Sequence, residues 1–210
     1  MKGVFITFEG NEGCGKSTQI AMLCDYLKSR KIECVLTREP GGTVLAEKIR
    51  ALLLDVKSGA KIFPKAELLL FESARAQHVD EIIKPALASG KFVISDRFFD
   101  SSTAYQGGAR GLGEAFVKSA NALAVGDCIP DLTILLDVPA ELGLERARVR
   151  DGGYSDRMGS EKLEFYESVR RSFLKIAQDN PERFALVDGA PAPEKVAQEI
   201  RKIVEARFNV

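Results

Sequence analysis

Residues 10–17 read G-N-E-G-C-G-K-S. They follow the apolar run 4–8, and the periodic segment 18–27 comes directly after. Strand, glycine-rich turn and helix start is the order a phosphate-binding loop requires. Such a turn aims unpaired backbone N–H groups inward, and the helix behind it adds the positive end of its dipole. Gly10 and Gly15 let the backbone curl around an anion without a Cβ clash. Lys16 suits the β- and γ-phosphates, and the Ser17 hydroxyl suits Mg²⁺. Gly10, Asn11, Glu12, Gly13, Cys14, Gly15, Lys16, Ser17 and Thr18 are therefore the expected contacts of a nucleoside triphosphate. A chain that carries this loop folds around a β-strand and the helix it feeds.

The rest of the chain repeats that unit. Apolar runs at 4–8, 34–37, 92–95, 132–136 and 184–187 are near-continuous, as strands of a parallel sheet covered on both faces should be. Helical patterns lie between them: Ile20, Leu23 and Leu27 share one face, as do Val196, Ile200, Ile203 and Phe208. The alternation predicts an α/β fold with a parallel sheet of about five strands, helices on both faces. With 210 residues and no linker long enough to separate domains, residues 1–210 form one domain. Gly152-Gly153, polar and between helical patterns, reads as a mobile loop, part of a lid over about 146–159.

Charge and cysteine content narrow the class. Thirty basic residues balance thirty acidic ones, so no electrostatic footprint for nucleic acid or an anionic membrane is present. No apolar run has the length of a span, and an apolar strand pattern at the N-terminus leaves no place for a signal peptide. Cys14, Cys24, Cys34 and Cys128 form no C-x-x-C pair and do not make a zinc site with the lone His78. Reduced thiols in the cytoplasm are the expectation. Cys14, near a helix N-terminus and Lys16, suits either a reactive thiolate or a small residue that fills space.

Four further stretches carry chemistry. After the second strand, T-R-E-P-G-G-T (37–43) sets Arg38 and Glu39 at a strand's carboxyl end, where open α/β sheets bind ligands. Pro40, Gly41 and Gly42 break the chain there, and Thr43 suits the cap of a helix bearing Glu47 and Arg50. The third strand ends V-I-S-D-R: Asp96 suits the second metal partner, and Arg97 can grip a phosphate with two N–H groups. Ser101, Ser102, Tyr105 and Gln106 form a polar cluster that runs into Gly107-Gly108, read as flexible backbone. Phe71 and Arg75 lie at i and i+4 on a long helical stretch, 66–86, and so face one side. That pair suits a planar base, one stacking and the other donating, although Phe71 is equally at home in a core. Arg146, Arg148 and Arg150 precede the glycine loop and Asp156-Arg157. Arginines beside a mobile loop can close over a triphosphate, or simply be solvated at a helix end.

In this order, F-E-G-N-E-G-C-G-K-S-T, T-R-E-P-G-G-T, D-R-F (96–98), A-Y-Q-G-G (104–108) and L-D-V-P (136–139) resemble the thymidylate kinase family over essentially the whole chain. The resemblance implies a phosphate-loop nucleoside-monophosphate kinase fold with a lid. It implies transfer of the ATP γ-phosphoryl to dTMP, with Mg²⁺ bound alongside ATP, by a homodimer. Phe71 would stack on thymine and Arg75 donate to its O4; Ser102 and Gln106 would lie near its N3 edge. Tyr105 would sit beneath the deoxyribose. Arg38, Arg50 and Arg97 would surround the dTMP phosphate, with Glu39 beside them, and Glu12 would accept from the 3′-hydroxyl. Arg146 is expected on the ATP side. One branch of the family carries a catalytic arginine within the phosphate loop, where this chain has Gly13. Resemblance to the other branch draws that arginine from the lid: Arg150, with Arg157 second, joining Lys16, Arg97 and Glu12 as catalytic residues. Cys14 departs from an alanine often found there.

Two rival readings stand beside this one. A deoxynucleoside kinase would need a carboxylate base, for which Glu12 or Glu39 could serve. A GTPase-like switch would use N-K-x-D to read guanine, and no asparagine here precedes a lysine.

Overall fold

The computed structural model describes residues 3–55, 61–150, 152, 157, 159 and 161–210. Five parallel strands form one sheet: β1 (Val4–Glu9), β2 (Cys34–Arg38), β3 (Phe92–Asp96), β4 (Leu132–Asp137) and β5 (Phe184–Asp188). Their order is β2-β3-β1-β4-β5, with the phosphate-loop strand at the centre. Register runs Phe5 beside Val93 on one flank and Ile6 beside Leu132 on the other. Each strand is one residue longer than its apolar run, because each ends in a charged residue: Glu9, Arg38, Asp96, Asp137 or Asp188. Hydropathy stops where the ligand crevice of a parallel sheet begins.

Side chains on alternate positions of β1 separate two cores. Ile6 and Phe8 pack with Ile94, Leu132 and Ile134 against α1 (Lys16–Ser29) and α9 (Pro193–Phe208), through Ile20, Leu23, Leu27, Val196 and Ile200. Phe5 and Val93 face the other layer, with Phe98, Val125 and Ile83. That layer contains α3 (Pro64–His78), α6 (Glu114–Val125) and α8 (Leu163–Asp179). α2 (Val44–Leu54) packs on α3, and Thr43 caps it by accepting from the Ala46 N–H at 3.1 Å.

The stretch 66–86 is helical throughout, as expected, but not uniformly α: α3 gives way to a π turn (Val79–Ile83) before α4 (Lys84–Ala88). Pro85 has no N–H for the ladder, and the widened turn sits directly before it. Gly107-Gly108 is not flexible backbone. α5 (Phe99–Ser102) runs into a π-helical segment (Thr103–Ala109) that contains both glycines. A Cβ on Gly108 would lie 2.1 Å from Ser172 Oγ, so this glycine permits close approach of α8. Arg146, Arg148 and Arg150 lie on α7 (Ala140–Arg150). Gly153 and Asp156 of the expected lid lie outside the described residues.

Candidate active site

The phosphate loop joins β1 to α1, with Gly15 as N-cap at φ 95°. Lys16 lies across it, donating to Gly10 O at 3.2 Å and Asn11 O at 2.9 Å. Cys14 is buried beneath the loop, its Sγ 3.5 Å from Lys16 Nζ. The structure favours the space-filling reading of this thiol, because at 1% exposure no alkylating agent reaches it without opening the loop. Gly13 is a contact point. A Cβ there would meet Gly143 O at 1.9 Å, and one on Gly143 would meet Glu12 O at 2.4 Å. Two facing glycines let α7 dock on the loop, and α7 brings its arginines with it.

A cleft of about 810 Å³ opens over the loop. Lys16, Ser17 and Thr18 line one wall and Arg146 and Arg150 another. Arg146 donates to Gly189 O and Ala190 O, both at 2.9 Å, at the end of the cleft near Pro191 and Pro193. Arg150 is 3.9 Å from Glu12 and exposed. Ser17 Oγ donates to Asp96 Oδ2 at 3.2 Å. A hydroxyl and a carboxylate that close, both at the cleft, are hard oxygen donors of the kind Mg²⁺ takes alongside phosphate oxygens and water, so the residues fit the ion.

A second pocket adjoins the cleft. Glu12, Glu39, Arg50, Phe71, Arg75, Arg97, Ser102, Tyr105 and Gln106 all line it. The polar turn after β3 builds its floor. Arg97 sits at φ 70°, an uncommon conformation for a non-glycine residue. Its Nη1 donates to Gly10 O at 2.9 Å and Ser101 Oγ at 3.2 Å, and its Nη2 donates to Glu12 Oε1 at 2.8 Å. Tyr105 OH lies 3.3 Å from the same nitrogen. Burial pushes the Tyr105 hydroxyl well above its ordinary range, so it stays protonated and neutral. Burial alone would raise Glu12, but Arg97, Lys16 and Arg150 outweigh it and hold the carboxyl down at about 2.

The structure separates some expected partners. Arg38 does not line the second pocket; it borders the cleft, exposed, with both Glu47 oxygens at 3.0 Å. Arg50 reaches both cavities and donates to Pro40 O at 2.9 Å. Arg157 lines neither. It pairs with buried Glu67 at 2.6 Å and donates to Leu53 O, which ties it to the acceptor side rather than to the phosphate loop.

Three residues carry weight that no motif reading assigned. Glu9 is fully buried and accepts from Phe98 N at 2.8 Å, Ser101 N at 3.3 Å and Ser101 Oγ at 2.6 Å, which pins the turn bearing Arg97. Burial and the nearby Asp100 raise its carboxyl to about 7, against the pull of Arg97 and the Ser101 and Phe98 donors. The signal for Glu9 was an acid closing an apolar strand. Glu67 receives Gln106 Nε2 at 2.8 Å as well as Arg157. Gly143 carried no sequence signal, since its partner lies 130 positions away.

Residues 8–200 match the family model described as thymidylate kinase. A thymidylate kinase of Desulfovibrio desulfuricans is 50% identical over 208 residues, covering 97% of this chain and 95% of that protein. One from Carboxydothermus hydrogenoformans is 49% identical over 205 residues, covering 98% of each. The crystal structure of thymidylate kinase from Ehrlichia chaffeensis superposes with a TM-score of 0.77 at 36% identity, over 97% of this chain and 99% of that one.

Proposed function

The chain belongs to the thymidylate kinase family and phosphorylates dTMP to dTDP in the supply of dTTP, and we propose that it does so where its two cavities meet. One observation carries that reading: Glu12, Glu39, Arg50 and Arg97 line both the phosphate-loop cleft and the adjoining pocket. A donor in the cleft and an acceptor in the pocket bring their phosphates together among those residues. ATP takes the cleft, with its phosphates on residues 10–18 and its base toward Arg146. dTMP takes the pocket, with thymine between Phe71 and Arg75, sugar on Tyr105 and phosphate at Arg50 and Arg97.

Little covalent chemistry is required. A phosphate oxygen of dTMP is already an anionic nucleophile, so no strong base is needed, and the barrier is largely the charge of two phosphate groups brought close. Lys16, Arg97 and the α7 arginines spread that charge, and Arg150 is the residue we assign to the charge that develops in transfer. Ser17 and Asp96 would hold Mg²⁺, which neutralises phosphate charge when bound with ATP. Glu12, held ionised, orients Arg97 and accepts from the 3′-hydroxyl. Glu12 is engaged by Arg97 and Glu39 by Arg75 and His78, so both carboxylates are committed to cations or an imidazole, which disfavours a deoxynucleoside kinase that needs one of them as a base for a hydroxyl. Residues 146–159 act as the lid of a single domain, closing to exclude water.

The assembly is a homodimer in this reading. Leu52 on α2, Leu69 on α3 and Leu123 on α6 are exposed large apolar residues on helices that pack side by side, α2 on α3 and α3 on α6. Apolar faces of this kind are commonly covered by a partner. Among the described residues no helix is long and apolar enough to cross a membrane. The four free thiols suit the cytoplasm. Product analysis with ATP and dTMP, set beside ATP and thymidine, tests the whole reading: dTDP should form and thymidine should not be phosphorylated. Phosphorylated thymidine with dTMP left unreacted would overturn it.

A further inference from the structure

The base end of the acceptor pocket rests on a buried polar chain. Arg75 Nε donates to Glu39 Oε2 at 2.7 Å, and its Nη1 donates to Glu72 Oε1 at 2.5 Å and Ser102 Oγ at 3.1 Å. The second oxygen of Glu39 faces away from Arg75 and meets His78 Nδ1 at 3.0 Å. His78 Nε2 lies 2.6 Å from Thr37 Oγ1. Thr37, His78, Glu39 and Arg75 thus form one line from β2 through the P-G-G turn to α3. Exposure is 0% at His78, 2% at Arg75, 5% at Glu39 and 9% at Thr37.

The link to Glu39 has one orientation. A carboxylate only accepts, so His78 Nδ1 carries a proton toward Glu39, and the Thr37 hydroxyl serves as the partner of Nε2. Gly42 closes the space around them: a Cβ there would lie 2.7 Å from Thr37 Oγ1 and 2.8 Å from the His78 ring. Burying an arginine, two carboxylates and an imidazole is a poor route to stability, since well-packed apolar residues do as well or better. What such a network does supply is a guanidinium whose plane cannot turn. Of the line Thr37–His78–Glu39–Arg75, the Arg75 and Glu39 end lines the pocket, while His78 and Thr37 do not.

We propose that His78 is a positioning residue for the acceptor base: through Glu39 it holds the Arg75 guanidinium toward the pyrimidine, and so sets the preference for a carbonyl over an amino group at that edge. This rests on the reading of Arg75 as a base contact. A guanidinium has donors only. Held in place, it rewards a carbonyl oxygen and opposes an amino group; free to swing, it discriminates less.

The test compares dTMP with 5-methyl-dCMP, which share phosphate, sugar and methyl group and differ at the edge Arg75 faces. Steady-state kinetics are measured on the parent, His78→Leu, His78→Gln, Thr37→Val and Arg75→Ala. His78→Leu should raise KM for dTMP about tenfold and shrink the dTMP to 5-methyl-dCMP ratio of kcat/KM at least about fivefold, with KM for ATP changed less than about twofold. His78→Gln keeps an N–H for Glu39 and should restore most of the ratio. If Arg75→Ala collapses the ratio while His78→Leu leaves it at the parent value, the inference is overturned and His78 only supports the fold. If Arg75→Ala also leaves the ratio unchanged, the base-contact reading itself fails and takes the inference with it. Should His78→Leu not fold, Thr37→Val carries the same test, because it removes the bond that sets the ring; an unchanged ratio there overturns the proposal.

Discussion

Glu9 and Glu12 stand three residues apart and are pushed in opposite directions. Glu12 is ringed by cations and held at about 2; Glu9 is enclosed with Asp100 as neighbour and raised to about 7. The two consequences differ in sign. Because folded Glu9 keeps its proton above the ordinary value of 4.5, the native state binds more protons than the unfolded chain between 4.5 and about 7. Stability therefore falls as pH rises through that window, by on the order of 3 kcal/mol for a shift of this size at a fully buried group. Glu9→Gln removes the titration. Calorimetric Tm of the parent should drop relative to Glu9→Gln between pH 4.5 and 7, and parallel curves would show that Glu9 does not titrate there. A second residue-scale prediction concerns the α7 arginines. Arg150 lines the cleft, whereas Arg148 is exposed and lines neither cavity. Arg150→Ala should lower kcat by roughly 100-fold, the size typical of losing one group that meets transition-state charge, with little change in KM. Arg148→Ala should stay near the parent. Equal small effects at both positions would mean a solvated basic helix end.

At the scale of elements, the contact of α7 with the phosphate loop is the joint on which the site depends. Gly13 and Gly143 face each other with no room for a Cβ on either. The absence of an arginine in the loop thus has a structural counterpart: a side chain at position 13 would run into the Gly143 carbonyl, so charge reaches the loop from the helix instead. Gly143→Val should push α7 away at a cost of about 1–3 kcal/mol in stability, as overpacking does. Arg146 and Arg150 would move with it, so KM for ATP should rise and kcat fall at least about tenfold, since misplacement of around 1 Å is enough to cost such factors. A variant with lowered Tm but parental kinetics would show that α7 does not position these arginines. The π-helical segment 103–109 belongs to the same scale. Gly108 permits α8 to pack, and Tyr105 lies against Phe173 of α8 at 6.2 Å between ring centroids.

At the scale of the whole molecule, the five strands deliver their charged last residues to one edge, and the two cavities open there. Leu52, Leu69 and Leu123, exposed on α2, α3 and α6 and lining neither cavity, predict assembly. Leu123→Glu, at 89% exposure in the protomer, should convert a dimer to a monomer in sedimentation velocity. A wild-type monomer at micromolar concentration would refute the dimer. Much of this was legible in one dimension. Strands and helices follow from apolar runs and periodicity within a few residues, and the phosphate loop from eight contiguous ones. The residues around the second pocket could be named from motifs such as T-R-E-P-G-G-T and A-Y-Q-G-G. Tertiary structure alone decided which side chains share a partner: Arg157 with Glu67, Glu9 with the turn after β3, His78 with Glu39, Gly13 with Gly143. Those pairs are separated by 90, roughly 90, 39 and 130 positions. Local pattern reports what a segment buries. Distance, and with it burial, charge and the reach of a hydrogen bond, exists only once the strands lie side by side.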